Sequence, residues 1–159
     1  MKKSETSVIA TGDSINGQSV VIAAAVKTFQ SIKEDVIERC KEKSACQSEF
    51  KKVVASKTLP DLLQILKNNM TWCLEPSIQL FNAAWLEDNF GTELLWSKHI
   101  YTSGIHEVRL SEAKAFEIYT LGSSTANVTS LGNSTVKVES RDSSTANVES
   151  RVSLQRGRK

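Results

Sequence analysis

Residues 105–154 read, in tens, IHEVRLSEAK, AFEIYTLGSS, TANVTSLGNS, TVKVESRDSS and TANVESRVSL, and the register runs through without a gap. The fourth place is Val108, Ile118, Val128, Val138 and Val148; Thr125, Thr135 and Thr145 share the first, and Gly122, Gly132 and Asp142 the eighth. A fixed self-similar period is the mark of a repeat architecture. Alternation in Ser124-Thr125-Ala126-Asn127-Val128 puts Ser124, Ala126 and Val128 on one face and Thr125 and Asn127 on the other, the period of a half-buried strand. The rest of each block holds Gly, Asn or Asp, which accept the left-handed backbone of a turn. Each block is therefore read as one strand and one corner, stacked as a short β-solenoid (β-helix) over 105–153, with Val108, Ile118, Val128, Val138 and Val148 as its core.

Ten residues are too few to close a coil around an interior. Two or three blocks per turn are expected, or coils shared between chains in an intertwined homo-oligomer, with a trimer favoured over a dimer because the inward Ser, Ala and Val supply little apolar surface.

Upstream the period is helical. Ile22, Val26, Phe29, Ile32, Val36 and Cys40 recur every three or four residues, which predicts a helix from Val20 to about Lys43. Ser44 stands three residues before Gln47, the spacing of a capping box, ahead of a helix carrying Cys46, Phe50, Val53 and Val54. Thr58 and Pro60 start a third helix with Leu62, Ile65, Leu66, Met70 and Cys73, ended by Pro76. Ser77 begins a fourth, with Leu80, Phe81, Ala84 and Trp85 on one side and Gly91 closing it. The fold class is thus α+β: a flexible segment 1–19, a helical bundle 20–91, a junction 92–104, the repeats 105–153 and a basic tail 154–159.

Charge and composition exclude several classes. With 20 Lys plus Arg against 18 Asp plus Glu, the net +2 is too small a field to argue for an anionic partner on charge alone. The longest apolar run, Ser19 to Val26, is far short of the ~20 residues of a membrane helix, and Glu5 and Asp13 interrupt the stretch where a signal peptide needs apolar residues. A cytoplasmic protein without a membrane segment is expected, or one carried in a virion.

The decapeptides, with Ser-Ser-Thr-Ala-Asn-Val, Asn-Ser-Thr-Val-Lys-Val and a helical segment containing Leu59-Pro60-Asp61-Leu62-Leu63 and Asn68-Asn69 before them, resemble proteins of gut bacteria and their phages that carry long tandem Asn/Asp-Ser-Thr-Val tails. Glu112 and Val152 depart from the turn residue of that pattern. The resemblance brings no activity or cofactor, and a tail of variable length implies a spacer or display element.

No chemistry is legible. Cys40, Cys46 and Cys73 cannot all pair and sit beside apolar neighbours, so they read as free thiols; joined with His99 or His106 they lack zinc spacing. Asp13, Asn16 and Gly17 read as a turn before a helix rather than a phosphate or metal loop. Trp72, Trp85 and Trp96 read as core anchors, and Lys137 breaks the Asn127–Asn147 column that an ice-binding threonine ladder would need flat. No catalytic residue, cofactor or metal is assigned, and an enzyme is not expected. The expected function is a structural or protein-interaction protein of phage or mobile-element origin with an oligomerising solenoid; the alternative is a small regulator or inhibitor of a bacterial host protein or nucleic acid. The candidate partner surface is Thr125, Asn127, Thr135, Lys137, Thr145, Asn147, Arg156 and Arg158, the two arginines offering a weak nucleic-acid contact.

Overall fold

The computed structural model describes residues 27–151; the segment 1–19, the start of the expected first helix, the Asp13–Gly17 turn, Val152, Arg156 and Arg158 lie outside them. Helix α1 (Phe29–Glu42) begins where the Thr28 hydroxyl accepts the Ser31 amide at 3.1 Å, and it buries Ile32, Val36 and Cys40, one residue per turn. The capping box at Ser44 is not formed. Ser44 has φ 55° and turns the chain out of α1, so α2 (Gln47–Ala55) starts from Cys46 without a side-chain cap. Thr58 does cap α3 (Leu59–Asn68), accepting the Asp61 amide at 3.2 Å beside Pro60.

Asn69 interrupts the expected long third helix and leaves a single turn, α4 (Met70–Cys73). The fourth also starts later than expected: Gln79 has φ 43°, Leu80 and Phe81 are buried from an irregular segment, and α5 (Ala83–Phe90) begins under an Asn82 cap. Gly91, at φ 76°, ends α5 and leads into α6 (Thr92–Ser97), which lies in what the sequence presented as a junction. Asp35 ties α1 to α5, pairing with Arg39 at 3.0 Å and accepting the Trp85 indole N–H at 2.9 Å.

Six strands follow: β1 (Ile100–Tyr101), β2 (Ile105–Leu110), β3 (Ala115–Thr120), β4 (Thr125–Leu131), β5 (Thr135–Ser140) and β6 (Thr145–Arg151). Successive blocks go to alternate sheets, so equivalent residues pair twenty apart: Val108 with Val128 and Val128 with Val148 in one sheet, Ile118 with Val138 in the other. The result is two three-stranded parallel sheets, β1-β3-β5 and β2-β4-β6. This corrects the expected β-solenoid. Each block spends six or seven residues on a strand and about four on the turn, which leaves no third side, and the sheets neither curl nor close. Parallel pairing is also completed within one chain, so the shared-coil argument and the structural role built on an oligomerising solenoid lose their basis. What stands is an α+β domain of helices and two small sheets.

Two cores meet at β3. Between the sheets lie Tyr101, Phe116 and Ile118 from one and Val108, Leu110, Ala126 and Val128 from the other. On the other face of β3, Tyr119, with Leu121 just beyond the strand and Ile100 of β1, joins the helical core of Leu62, Leu63, Met70, Leu86 and Leu95. The corners are built from two columns. Gly122, Gly132 and Asp142 have φ near +60°, and the tenth-place serines hold each turn. Ser124 Oγ donates to Leu121 O at 2.8 Å and Tyr101 O at 2.9 Å; Ser144 Oγ repeats this with Arg141 O at 2.6 Å and Thr120 O at 2.8 Å.

Ser124 is buried, and its one hydroxyl proton is shared by two carbonyls that also accept the Leu121 and Ser124 amides, so Ser124→Ala should cost about 0.5–1.5 kcal/mol in denaturant unfolding. Val128 is 1% exposed and Val148 is 53% exposed although they share a column. Val128→Asp is expected to lower the thermal midpoint by many degrees, and Val148→Asp by far less.

Candidate functional site

The helical half contains a cleft of about 250 Å³ between α1, α2, α3 and α4, walled by Phe50, Val53, Ile65, Leu66, Trp72 and Leu80. Its position follows from the short elements: α2 has nine residues and α4 four, too few to fill the space beside the end of α1. All three cysteines line it. They differ sharply in environment. Cys40 and Cys73 are buried, and burial raises both thiols above their ordinary range, Cys73 to about 12. Cys46 is exposed, 3.3 Å from the Ser48 hydroxyl, and that hydrogen bond with those from the amides opening α2 lowers its thiol.

The polar rim is small. Glu49 accepts from the Lys52 ammonium at 2.7 Å and the Asn69 amide at 2.8 Å, and these two contacts hold its carboxyl below the usual range. The rim therefore keeps an ionised carboxylate at neutral pH. Asn69, which broke the third helix, reaches Glu49 while also donating to Ile65 O at 3.0 Å.

A second cluster closes the sheets at the β1/β2 end. Trp96 meets the His106 ring edge-on at 4.9 Å, His106 stacks on Tyr101 at 4.4 Å, and His99 lies against Phe116 at 5.9 Å. Both histidines have neighbours: His106 Nε2 donates to Ser103 O at 2.7 Å, and His99 Nδ1 is 3.2 Å from the Tyr101 hydroxyl. Burial, then Lys67 and Lys114, lowers the His99 pKa, so its ring is neutral at pH 7. Glu87 accepts from Thr102 at 2.6 Å and Ser103 at 2.8 Å and fixes the loop beneath. These rings plug the inter-sheet core.

The residues proposed from the sequence as one partner surface are divided between the sheets. Thr125, Asn127, Thr145 and Asn147 stand on the outward face of β4 and β6, where Asn147 donates to Asn127 at 2.8 Å and Asn127 to Glu107 at 2.6 Å. Thr135 and Lys137 lie on β5, in the sheet that packs on the helices. Of the fourth-place residues, Val108, Ile118 and Val128 are buried, Val138 is half-buried and Val148 is exposed. Among the described residues no group of three or more His, Cys, Asp or Glu is arranged to hold a metal ion, and no helix is long and apolar enough to cross a membrane. The cleft was not legible in the sequence. Its one signal was that Cys40, Cys46 and Cys73 all border short or broken helices.

Alkylation reads the thiol environments directly. At pH 7 in native buffer, iodoacetamide is expected to modify Cys46 first, with Cys40 and Cys73 reacting only on unfolding, as mapped by peptide mass spectrometry. Cys46→Ser should abolish the native-state reaction, and lowering the pH should slow it later than for a free thiol peptide, because the thiolate persists to lower pH.

No protein-family model, curated protein or solved structure matches the chain, so its own geometry carries the functional reading.

Proposed function

We propose that the helical half binds a short apolar chain carrying a neutral or cationic head, with the chain in the Phe50–Trp72 cleft. The observation that supports this is an apolar cleft of about 250 Å³ open to solvent beside a single carboxylate. An apolar cavity of ~150 Å³ accepts benzene, so this one has room for a short alkyl chain. The rim selects the head group. Glu49, ion-paired with Lys52 at 2.7 Å, is the acid lining the rim, and its carboxylate oxygens offer an acceptor to an amine or a hydroxyl that a fatty carboxylate, having no proton to donate, cannot use. The reading is of binding: the histidines lie in the ring cluster at the sheets, away from the cleft.

Methyl NMR of the full chain, titrated with octylamine, octanol and octanoate, tests the proposal. Saturable shifts should centre on Ile65, Leu66 and Val53, with octylamine the tightest and octanoate the weakest. Ala45→Phe, which adds a ring from the cleft wall, should remove the shifts while leaving the thermal midpoint in place. Absence of a saturable shift with all three probes would refute the proposal, as would equal binding by the Ala45→Phe protein.

A further inference from the structure

The two ends of the sheets are unequal. At the β1/β2 end, Trp96 of α6, 41% exposed, packs on His106, which stacks on Tyr101 at the margin of the inter-sheet core. At the other end β5 and β6 are the last strands of their sheets among the described residues, and each has one side without a paired strand. The core shows through there. Val148 is 53% exposed, Val136 and Val138 are half-buried, and every residue of β6 except Ala146 is exposed. A strand edge beside an uncovered core is a template for another strand.

We propose that a second copy of this chain covers this end, in a closed two-fold dimer that pairs β5 with the partner's β5 and β6 with the partner's β6, antiparallel. The charges on the edge select the register. Directly opposed residues of an antiparallel pair point to the same face, so a sheet that continues across the dimer joins residues of equal parity. Centred on Val138, the pairing sets Lys137 opposite the partner's Glu139 and Glu139 opposite the partner's Lys137. Centring one residue earlier opposes Lys137 to itself, and one residue later opposes Glu139 to itself. Of these three registers the Val138 one alone opposes neither charge to itself; Glu139 keeps its own pair with Arg141 at 2.7 Å and its bond from Thr71 at 2.7 Å, and gains the partner's Lys137 beside them.

The second sheet agrees with that axis one block later. Centred on Val148, β6 sets Asn147 opposite the partner's Glu149, an amide donor against a carboxylate, and brings the two exposed valines together. Centring on Glu149 would instead oppose two carboxylates. A two-fold running normal to the sheets serves both pairings and lets the two half-open cores close on each other. A two-fold contact joins like ends and closes on itself, so the assembly stops at two.

Sedimentation equilibrium of the full chain at micromolar concentration tests this, with circular dichroism to show that each variant is folded. The expected mass is twice the 17.5 kDa of one chain. Val148→Glu, at an exposed position, should give the single-chain mass. Lys137→Glu, which sets a new carboxylate opposite the partner's Glu139, should weaken the dimer by roughly tenfold or more. A wild-type protein at the single-chain mass overturns the proposal. If deletion of residues 152–159 then produces a dimer, the chain's own C-terminal segment is the occupant of the edge. A dimer indifferent to Val148→Glu and Lys137→Glu overturns it as well, because the contact then lies elsewhere.

Discussion

The domain depends on one strand that contributes to both cores. β3 carries Phe116 and Ile118 into the space between the sheets, and Tyr119 toward the helices, where Leu121 follows just beyond the strand end. Neither core is complete without it. The helical bundle uses Tyr119, Leu121 and Ile100 as a wall, and the second sheet has only β1, β3 and β5 to bury its Val108, Leu110, Ala126 and Val128. The second half of β3 is apolar at both parities, Ile118 with Tyr119 and Leu121, while Ala115 and Glu117 in its first half are exposed on the Tyr119 side. The other blocks alternate polar and apolar, as strands with one solvated face do. Short polar-faced strands of this kind would bury too little to stand alone, and packing on a helical base through β3 supplies what they lack.

The corners solve a separate problem, the satisfaction of backbone carbonyls where parallel strands break off. Four residues must turn the chain while the layer before it still needs hydrogen-bond donors. The tenth-place serine meets both demands with one hydroxyl that faces its own turn and the preceding layer. The eighth-place residue then needs a left-handed backbone, supplied by Gly122, Gly132 and Asp142. At Gly122 a side chain is excluded for a second reason: an added Cβ would lie 2.6 Å from Thr102 O, where the first corner presses against the loop that Glu87 holds. Asp142 uses its side chain where a glycine cannot, accepting the Gly122 amide at 3.0 Å across the layers.

How much of this was legible follows from what period encodes. The decapeptide register placed one strand in each block from Ile105 onward and turned its fourth-place residue inward, because alternation and turn chemistry are local, but it counted Ser124 in a strand that begins at Thr125 and runs to Leu131. It did not reveal whether blocks would close a coil or alternate between two open sheets, since both pair equivalent residues; that depends on how many corners make a layer, and layer size is not local. β1 escaped for the same reason: two residues, Ile100 and Tyr101, carry no period and become a strand only by pairing with Tyr119 and Thr120. In the helical half, Thr58 with Pro60 was readable because cap and ring act within one turn. Ser44 was misleading because its serine–glutamine spacing imitates a capping box, whereas the tertiary position of α2 requires a left-handed residue there. The cleft could not be seen at all. It is space left between helices too short to fill it, and sequence records side chains rather than gaps.

Identity of sequence position also does not fix environment. Val108, Val128 and Val148 occupy the same place in their blocks, pair with one another in order, and share one face of one sheet. Val128 is enclosed because strands lie on both sides of β4, whereas Val148 is exposed because β6 is an edge. A repeat therefore distributes one side chain across a gradient of burial, and its terminal copies are where apolar atoms and unpaired backbone reach solvent together. At the first end the chain resolves this with residues that do not belong to the repeat: Trp96 comes from α6, Tyr101 from β1, and His106 replaces the alanine that stands at that place in β4 and β6. At the last end the described chain continues the repeat unchanged, with alanine and valine at the core places of β6. The first end is built to stop the stack, and the last is built like its interior.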